Sequence, residues 1–129
     1  MSDKINILLV EDEADLSLII RNTLTGQGFD VRTARDGEEG LRMFYAQKPD
    51  VLVADVMMPK MDGWQACKEI RALSEVPIIM LTAKSDERDE LLGFELGVDE
   101  YISKPFSPKI LVARVEAILR RTANALQDE

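Results

Sequence analysis

The sequence predicts an α/β fold, a doubly wound (βα)5 sandwich in which five parallel strands are flanked by five helices. Short apolar runs alternate with longer segments whose apolar residues recur every three or four positions, the pattern of βα units wound into one sheet. Three runs, Ile5–Val10 (apart from Asn6), Val51–Ala54 and Pro77–Leu81, are continuously apolar, as strands buried on both faces are. The other two, Phe29–Ala34 and Tyr101–Ser103, are partly polar and belong at the edges, which is where the common strand order 2-1-3-4-5 puts the second and fifth strands.

Each element has its own justification. After the first strand, Leu16, Ile20 and Leu24 form the inward stripe of a helix that Gly26 and Gly28 are placed to end. The second strand alternates Phe29, Val31 and Thr33 against Asp30 and Arg32, and the next helix turns Leu41 and Phe44 inward before stopping at Lys48-Pro49. The third strand leads to a helix marked by Cys67, Ile70 and Leu73, on which Trp64 and Cys67 read as ordinary packing or surface residues. A fourth helix around Leu91 and Phe94 ends near Gly97, and Gly93 inside it lowers its stability by ~1 kcal/mol relative to alanine. Ser107-Pro108 reads as the N-cap and first position of the last helix, with Leu111, Val115 and Ile118 inward and Arg120-Arg121 at its negative end. Residues 1–121 then make one domain, and 122–129 a polar tail or the start of a linker.

Composition narrows the function. The 129 residues hold 16 basic and 24 acidic side chains, a formal charge of -8 that disfavours direct binding of nucleic acid. With no histidine, the chain offers no Ser-His-Asp triad and no His-ligated zinc. A single cysteine, Cys67, permits no internal disulfide and fits a reducing compartment. No apolar run approaches the ~20 residues that span a bilayer, and Met-Ser-Asp-Lys-Ile-Asn does not open a secretory signal. The expectation is a cytoplasmic protein without a membrane partner.

The residues that end the strands carry the chemistry. Glu11-Asp12 follow the first strand, Asp55 the third, Thr82 the fourth, and Ser103-Lys104 the fifth. In a sheet of this order ligands bind beyond the carboxyl ends, where the first and third strands adjoin. Taken alone, Glu11 and Asp12 could be favourable charges at a helix N-terminus. With Asp55 beside them they become a problem, because carboxylates ~4 Å apart repel by about 1–4 kcal/mol. Such a crevice raises a carboxyl pKa or takes up a cation, and an all-oxygen ligand set favours Mg²⁺. Lys104 and the Thr82 hydroxyl are left to face an anion, and a phosphoryl group held with Mg²⁺ satisfies the whole set. Phosphorylating Asp55 adds about one negative charge, which Thr82 and Lys104 are placed to meet.

Four stretches in order, INILLVEDE, VLVADVMMPKMDGW, PIIMLTA and DEYISKPF, resemble the receiver domains of two-component response regulators, the CheY-like fold, over residues 4–121. The resemblance implies that residues 1–121 are a receiver domain and that Asp55 accepts a phosphoryl group from the phosphohistidine of a sensor histidine kinase. It further implies that Asp12, Asp55 and the Met57 backbone carbonyl ligate Mg²⁺, with Glu11 acting through water. Thr82 and Lys104 bind the phosphoryl oxygens, Thr82 and Tyr101 switch, and the Lys104-Pro105 bond is cis. On this reading the chain is a phosphorylation-activated switch, acting on its own phosphoryl group rather than as a turnover enzyme. Its output face is the fourth helix, fifth strand and fifth helix.

Two other classes fit less well. A Mg²⁺-dependent aspartyl-phosphate phosphatase needs an acid two residues after the nucleophile, where this chain has Met57. A flavin module needs hydroxyl and glycine donors after the first strand, where this chain has Glu-Asp-Glu. The stretch KPFSPKILVARVEAILRR is most similar to the OmpR/PhoB-type subfamily, which makes transcription the expected output and a stand-alone receiver or phosphorelay carrier the alternative. That subfamily pairs basic residues of the fourth helix with an acid of the fifth across a symmetric dimer. Here Glu90, Leu92 and Ile110 stand at those positions, so a homodimer formed on activation is expected to rest on Leu92, Phe94, Ile110 and Val112, with Asp99 and Arg114 supplying one ion pair.

Overall fold

The computed structural model describes residues 4–55, 63–82, 97–104 and 106–127. Strands β1 (Asn6–Val10), β2 (Asp30–Ala34), β3 (Val51–Asp55), β4 (Ile78–Thr82) and β5 (Glu100–Ser103) form one parallel sheet of order β2-β1-β3-β4-β5. Around it lie α1 (Ala14–Gly26), α2 (Gly37–Ala46), α3 (Gly63–Arg71) and α4 (Pro108–Gln127). The helix expected around Leu91 and Phe94, with Glu90, Leu92 and Gly93, falls outside the described residues. So do Met57, Pro105 and the side chain of Trp64.

The period-two alternation of the central strands divides the core. Leu8 and Val10, Leu52 and Ala54, and Ile78 and Met80 face one layer, where Leu41 and Phe44 of α2 and Ala66, Cys67 and Ile70 of α3 complete the packing. Ile7 and Leu9, Val51 and Val53, and Ile79 and Leu81 face the other, against Ile20 and Leu24 of α1 and Leu111, Val115 and Ile118 of α4. Each fully buried Leu or Ile contributes roughly 1.5–3 kcal/mol, so both layers of this sandwich are strongly held. The continuously apolar runs are therefore the three central strands, and the mixed runs are the edges, as expected.

Long-range polar contacts lock the ends of these elements. Arg32 of β2 donates to the Met43 and Gln47 carbonyls at 3.1 and 2.7 Å, satisfying the C-terminus of α2, and to Asn6 Oδ1 at 3.1 and 3.2 Å. Asp36 caps the other end of α2, its Oδ1 accepting from the Glu39 N–H at 2.9 Å. Gly40 lets α2 approach β1, since a Cβ there would lie 2.8 Å from Val10 Cγ2. Arg71, the last residue of α3, donates to the carbonyls of Ser74, Val76 and Gly97 and to Asp99 Oδ2, tying the entries to β4 and β5 together.

Several details depart from the sequence reading. Leu73 is 69% exposed, because α3 ends at Arg71 before that position can turn inward. Gly26 is the last residue of α1 rather than its terminator, and Gly28, with φ 94°, makes the left-handed turn that follows. Ser107 does cap the last helix, accepting from Lys109 N at 3.3 Å, but α4 runs on to Gln127, so Arg120 and Arg121 lie within it rather than at its end. Val112 is buried in the core, not on an outward face.

Candidate functional site

The register of the sheet assembles the site. Val10 pairs with Ala54, Asp55 with Leu81, and Thr82 with Ser103, so the residues at or just past these positions meet at the carboxyl edge. Glu11 N still donates to the Ala34 carbonyl at 3.0 Å, extending the ladder by one step and fixing the backbone there. Glu11 and Asp55 are buried while Asp12 is exposed, and carboxylate oxygens of all three lie within 4.8 Å of one another.

The Lys104 ammonium sits between the two buried acids, 2.8 Å from Asp55 Oδ2 and 3.0 Å from Glu11 Oε1. Burial works against its charge, but the hydrogen bond to Asp55 and the negative charges of Asp55 and Glu11 outweigh that and raise its pKa. Glu11 shows the opposite balance. Burial, with the charge of Asp55 in the same direction, lifts its carboxyl to about 7 against the lowering effects of the Glu13 N–H and Lys104. Glu11 Oε2 accepts from that N–H at 3.1 Å, whereas Oε1, though close to the ammonium, is off the alignment of a hydrogen bond.

Among the described residues, three carboxylates, one buried oxygen without an aligned donor, and no nitrogen or sulfur ligand make a set that fits a hard dication such as Mg²⁺. Asp12 and Asp55 would hold it, with Glu11 behind them. Bound there, the ion would supply charge stabilisation to oxygens of a transferring phosphoryl group.

The structure thus brings Glu11, Asp12, Asp55 and Lys104 together as the sequence reading expected. Thr82 ends β4 beside Ser103, its side chain lying outside the described residues, and Tyr101 is half-buried against the α2–α3 layer. One contact had no signal in the sequence: Asp99 is held within the chain by Arg71 at 3.0 Å and the Ile78 N–H at 2.8 Å. Arg114 lies 3.7 Å from Glu100, so the Asp99–Arg114 pair expected across a dimer has other partners within the chain.

Known proteins resemble this chain in sequence and in fold. The family model described as "Response regulator receiver domain" matches residues 7–116. The alkaline phosphatase synthesis transcriptional regulatory protein PhoP of Bacillus subtilis (strain 168) is 50% identical over 117 residues, covering 90% of this chain and 49% of that protein. The protein named "Probable transcriptional regulator ycf27" of Guillardia theta is 51% identical over 125 residues, covering 97% and 49%. This chain spans about half the length of these curated relatives. Among solved structures, the Francisella response regulator 1452 receiver domain superposes with a TM-score of 0.87 at 32% identity, covering 92% of this chain and 99% of that one.

Proposed function

The chain belongs to the response regulator receiver domain family of two-component systems, and from that premise we propose that Asp55 is the phosphoacceptor, loaded by a histidine kinase. The observation that carries the reading is the buried Asp55 carboxylate beside Glu11 and Asp12 with Lys104 at 2.8 Å. An Asp55 oxygen attacks phosphorus in line, and the donor's imidazole leaves. Lys104 then exchanges part of its contact with the carboxylates for phosphoryl oxygens, a motion short enough for a side chain already at the centre of the site. In this reading Thr82 donates to the same oxygens, the Met57 carbonyl completes the Mg²⁺ ligands, Glu11 acts through water, and the Lys104-Pro105 bond is cis.

The charge gained biases a two-state equilibrium in which Thr82 and Tyr101 move. The chain later hydrolyses its own acyl phosphate and turns over no other substrate. The receiver unit takes in all of α4 to Gln127, so the boundary expected at 121 falls inside that helix, and the output is transcription, a reading supported by the identity to PhoP. Activated chains pair through the face carrying β5 and α4, on which Ile110 is 47% exposed. The chain works in the cytoplasm and does not itself bind DNA. Among the described residues no helix is long and apolar enough to cross a membrane.

The experiment is intact-mass measurement after incubation with Mg²⁺ and acetyl phosphate. Wild type gains one phosphoryl group, and Asp55→Asn gains none. Equal labelling of the variant overturns the assignment.

A further inference from the structure

A cleft of about 240 Å³ opens beside the acidic site and shares Glu11 and Asp12 with it. Its other polar groups have the opposite character: the guanidiniums of Arg21 on α1 and Arg35 just past β2, and the hydroxyls of Ser17 and Thr33. These arginines do not neutralise the acids. Among the described residues, Lys104 is the cation paired with Glu11 and Asp55. Arg21 has no side-chain ion pair or hydrogen bond in the cleft among the described residues. Arg35, with its side chain 87% exposed, reaches Glu39 Oε2 at 3.8 Å.

With a dication present, three carboxylates are balanced by the metal and Lys104, and Arg21 and Arg35, the latter shared with Glu39, are the cationic groups that line the cleft. The cleft is smaller than the ~300–1,000 Å³ of drug-sized pockets, so it accommodates a group of a few heavy atoms rather than a folded segment.

We propose that this cleft is an anion subsite for a small-molecule acyl phosphate, with Arg21 and Arg35 as the residues that select the donor by its leaving group. The inference rests on Asp55 being the phosphoacceptor. The reaction balances without a further reactant. An Asp55 carboxylate oxygen bonds to phosphorus, the bond from phosphorus to the acyl oxygen breaks, and its electron pair departs on a carboxylate, with no proton transferred. The departing group is therefore an anion, and a donor whose acyl part bears a second anionic group offers the arginines more to bind. Ser17 and Thr33 supply hydroxyl donors in the same cleft.

The test is the second-order rate of Asp55 phosphorylation, followed by intact mass at fixed Mg²⁺ and varied salt. Two donors are compared: acetyl phosphate and 3-phosphoglyceroyl phosphate, whose leaving group carries a second phosphate. Wild type is expected to react faster with the doubly anionic donor, with a rate that falls as salt rises. Arg21→Gln and Arg35→Gln should each lower that rate about fivefold and flatten the salt dependence. Arg21→Lys and Arg35→Lys should retain most of it, and Arg120→Gln, which removes the same charge from the exposed surface of α4, should not change it. A glutamine double variant with the wild-type rate and salt dependence overturns the subsite. So does equal slowing by the lysine variants, which marks a structural effect. A wild type that stays unmodified at Asp55 overturns the phosphoacceptor reading itself and the subsite with it.

Discussion

Replacing Glu11 by glutamine should stabilise the metal-free protein by an amount that grows with pH. Glu11 is 1% exposed, and burial lifts its carboxyl from 4.5 to about 7. Between those values the folded chain holds a proton that the unfolded chain has released. Stability therefore falls as pH rises from 4.5 and levels off above about 7. At ~1.4 kcal/mol per pH unit, that interval amounts to at most about 3–4 kcal/mol. Glutamine keeps the shape and can still accept the Glu13 N–H, now 3.1 Å from Oε2, but has no charge to desolvate. It forfeits the contact with Lys104, which retains Asp55 at 2.8 Å, and this loss offsets part of the gain. The expected gain is about 1–3 kcal/mol near pH 8, shrinking toward zero near pH 5. Urea titrations in chelator at both pH values measure it. A variant no more stable than wild type near pH 8, or a gain equal at both, would refute the reasoning.

Three further outcomes follow from the packing and the surface. Gly40→Ala places a methyl 2.8 Å from Val10 Cγ2 and should cost about 1–3 kcal/mol in urea titrations, with Val10→Ala restoring most of it. Arg71→Ala removes the donor shared by the Ser74, Val76 and Gly97 carbonyls and Asp99. It should lower stability by about 2–3 kcal/mol, with Arg71→Lys losing less, as read by thermal melts. Dimerisation on beryllofluoride activation, followed by sedimentation, should survive about 0.5 M salt but fail in Ile110→Glu, because aliphatic burial outweighs surface ion pairs. Dissociation by salt would restore the ion-pair picture.

Sheet order and the meeting of Glu11, Asp12, Asp55 and Lys104 were legible because each is a local signal: an apolar run, its period, and the polar residue that ends it. The alternation that sorts Leu8 from Leu9 into opposite layers is likewise written in neighbouring positions. The Arg71–Asp99 and Arg32–Asn6 contacts join residues 28 and 26 apart, and nothing near either partner announces the other. Leu73 fits the helical period of α3 yet lies past its end, since period alone does not say where a helix stops. Val112 sits beside an inward position, where the apolar stripe of α4 is wider than a strict repeat implies. Glu11's raised pKa needed burial to be seen, because an acid after a strand is solvated unless neighbouring elements close over it.

The central claim is that Asp55 forms an acyl phosphate, and chemical trapping tests it most directly. Borohydride reduces an aspartyl phosphate to homoserine and leaves free carboxylates and phosphate esters unchanged. Treating the Mg²⁺- and acetyl-phosphate-loaded protein with tritiated borohydride, then mapping peptides, should place the label on the residue that ends β3, Asp55. The same procedure should leave the Asp55→Asn chain unlabelled. Homoserine at Asp12 or another acid, or a phosphorylated chain that takes no label, would contradict the account.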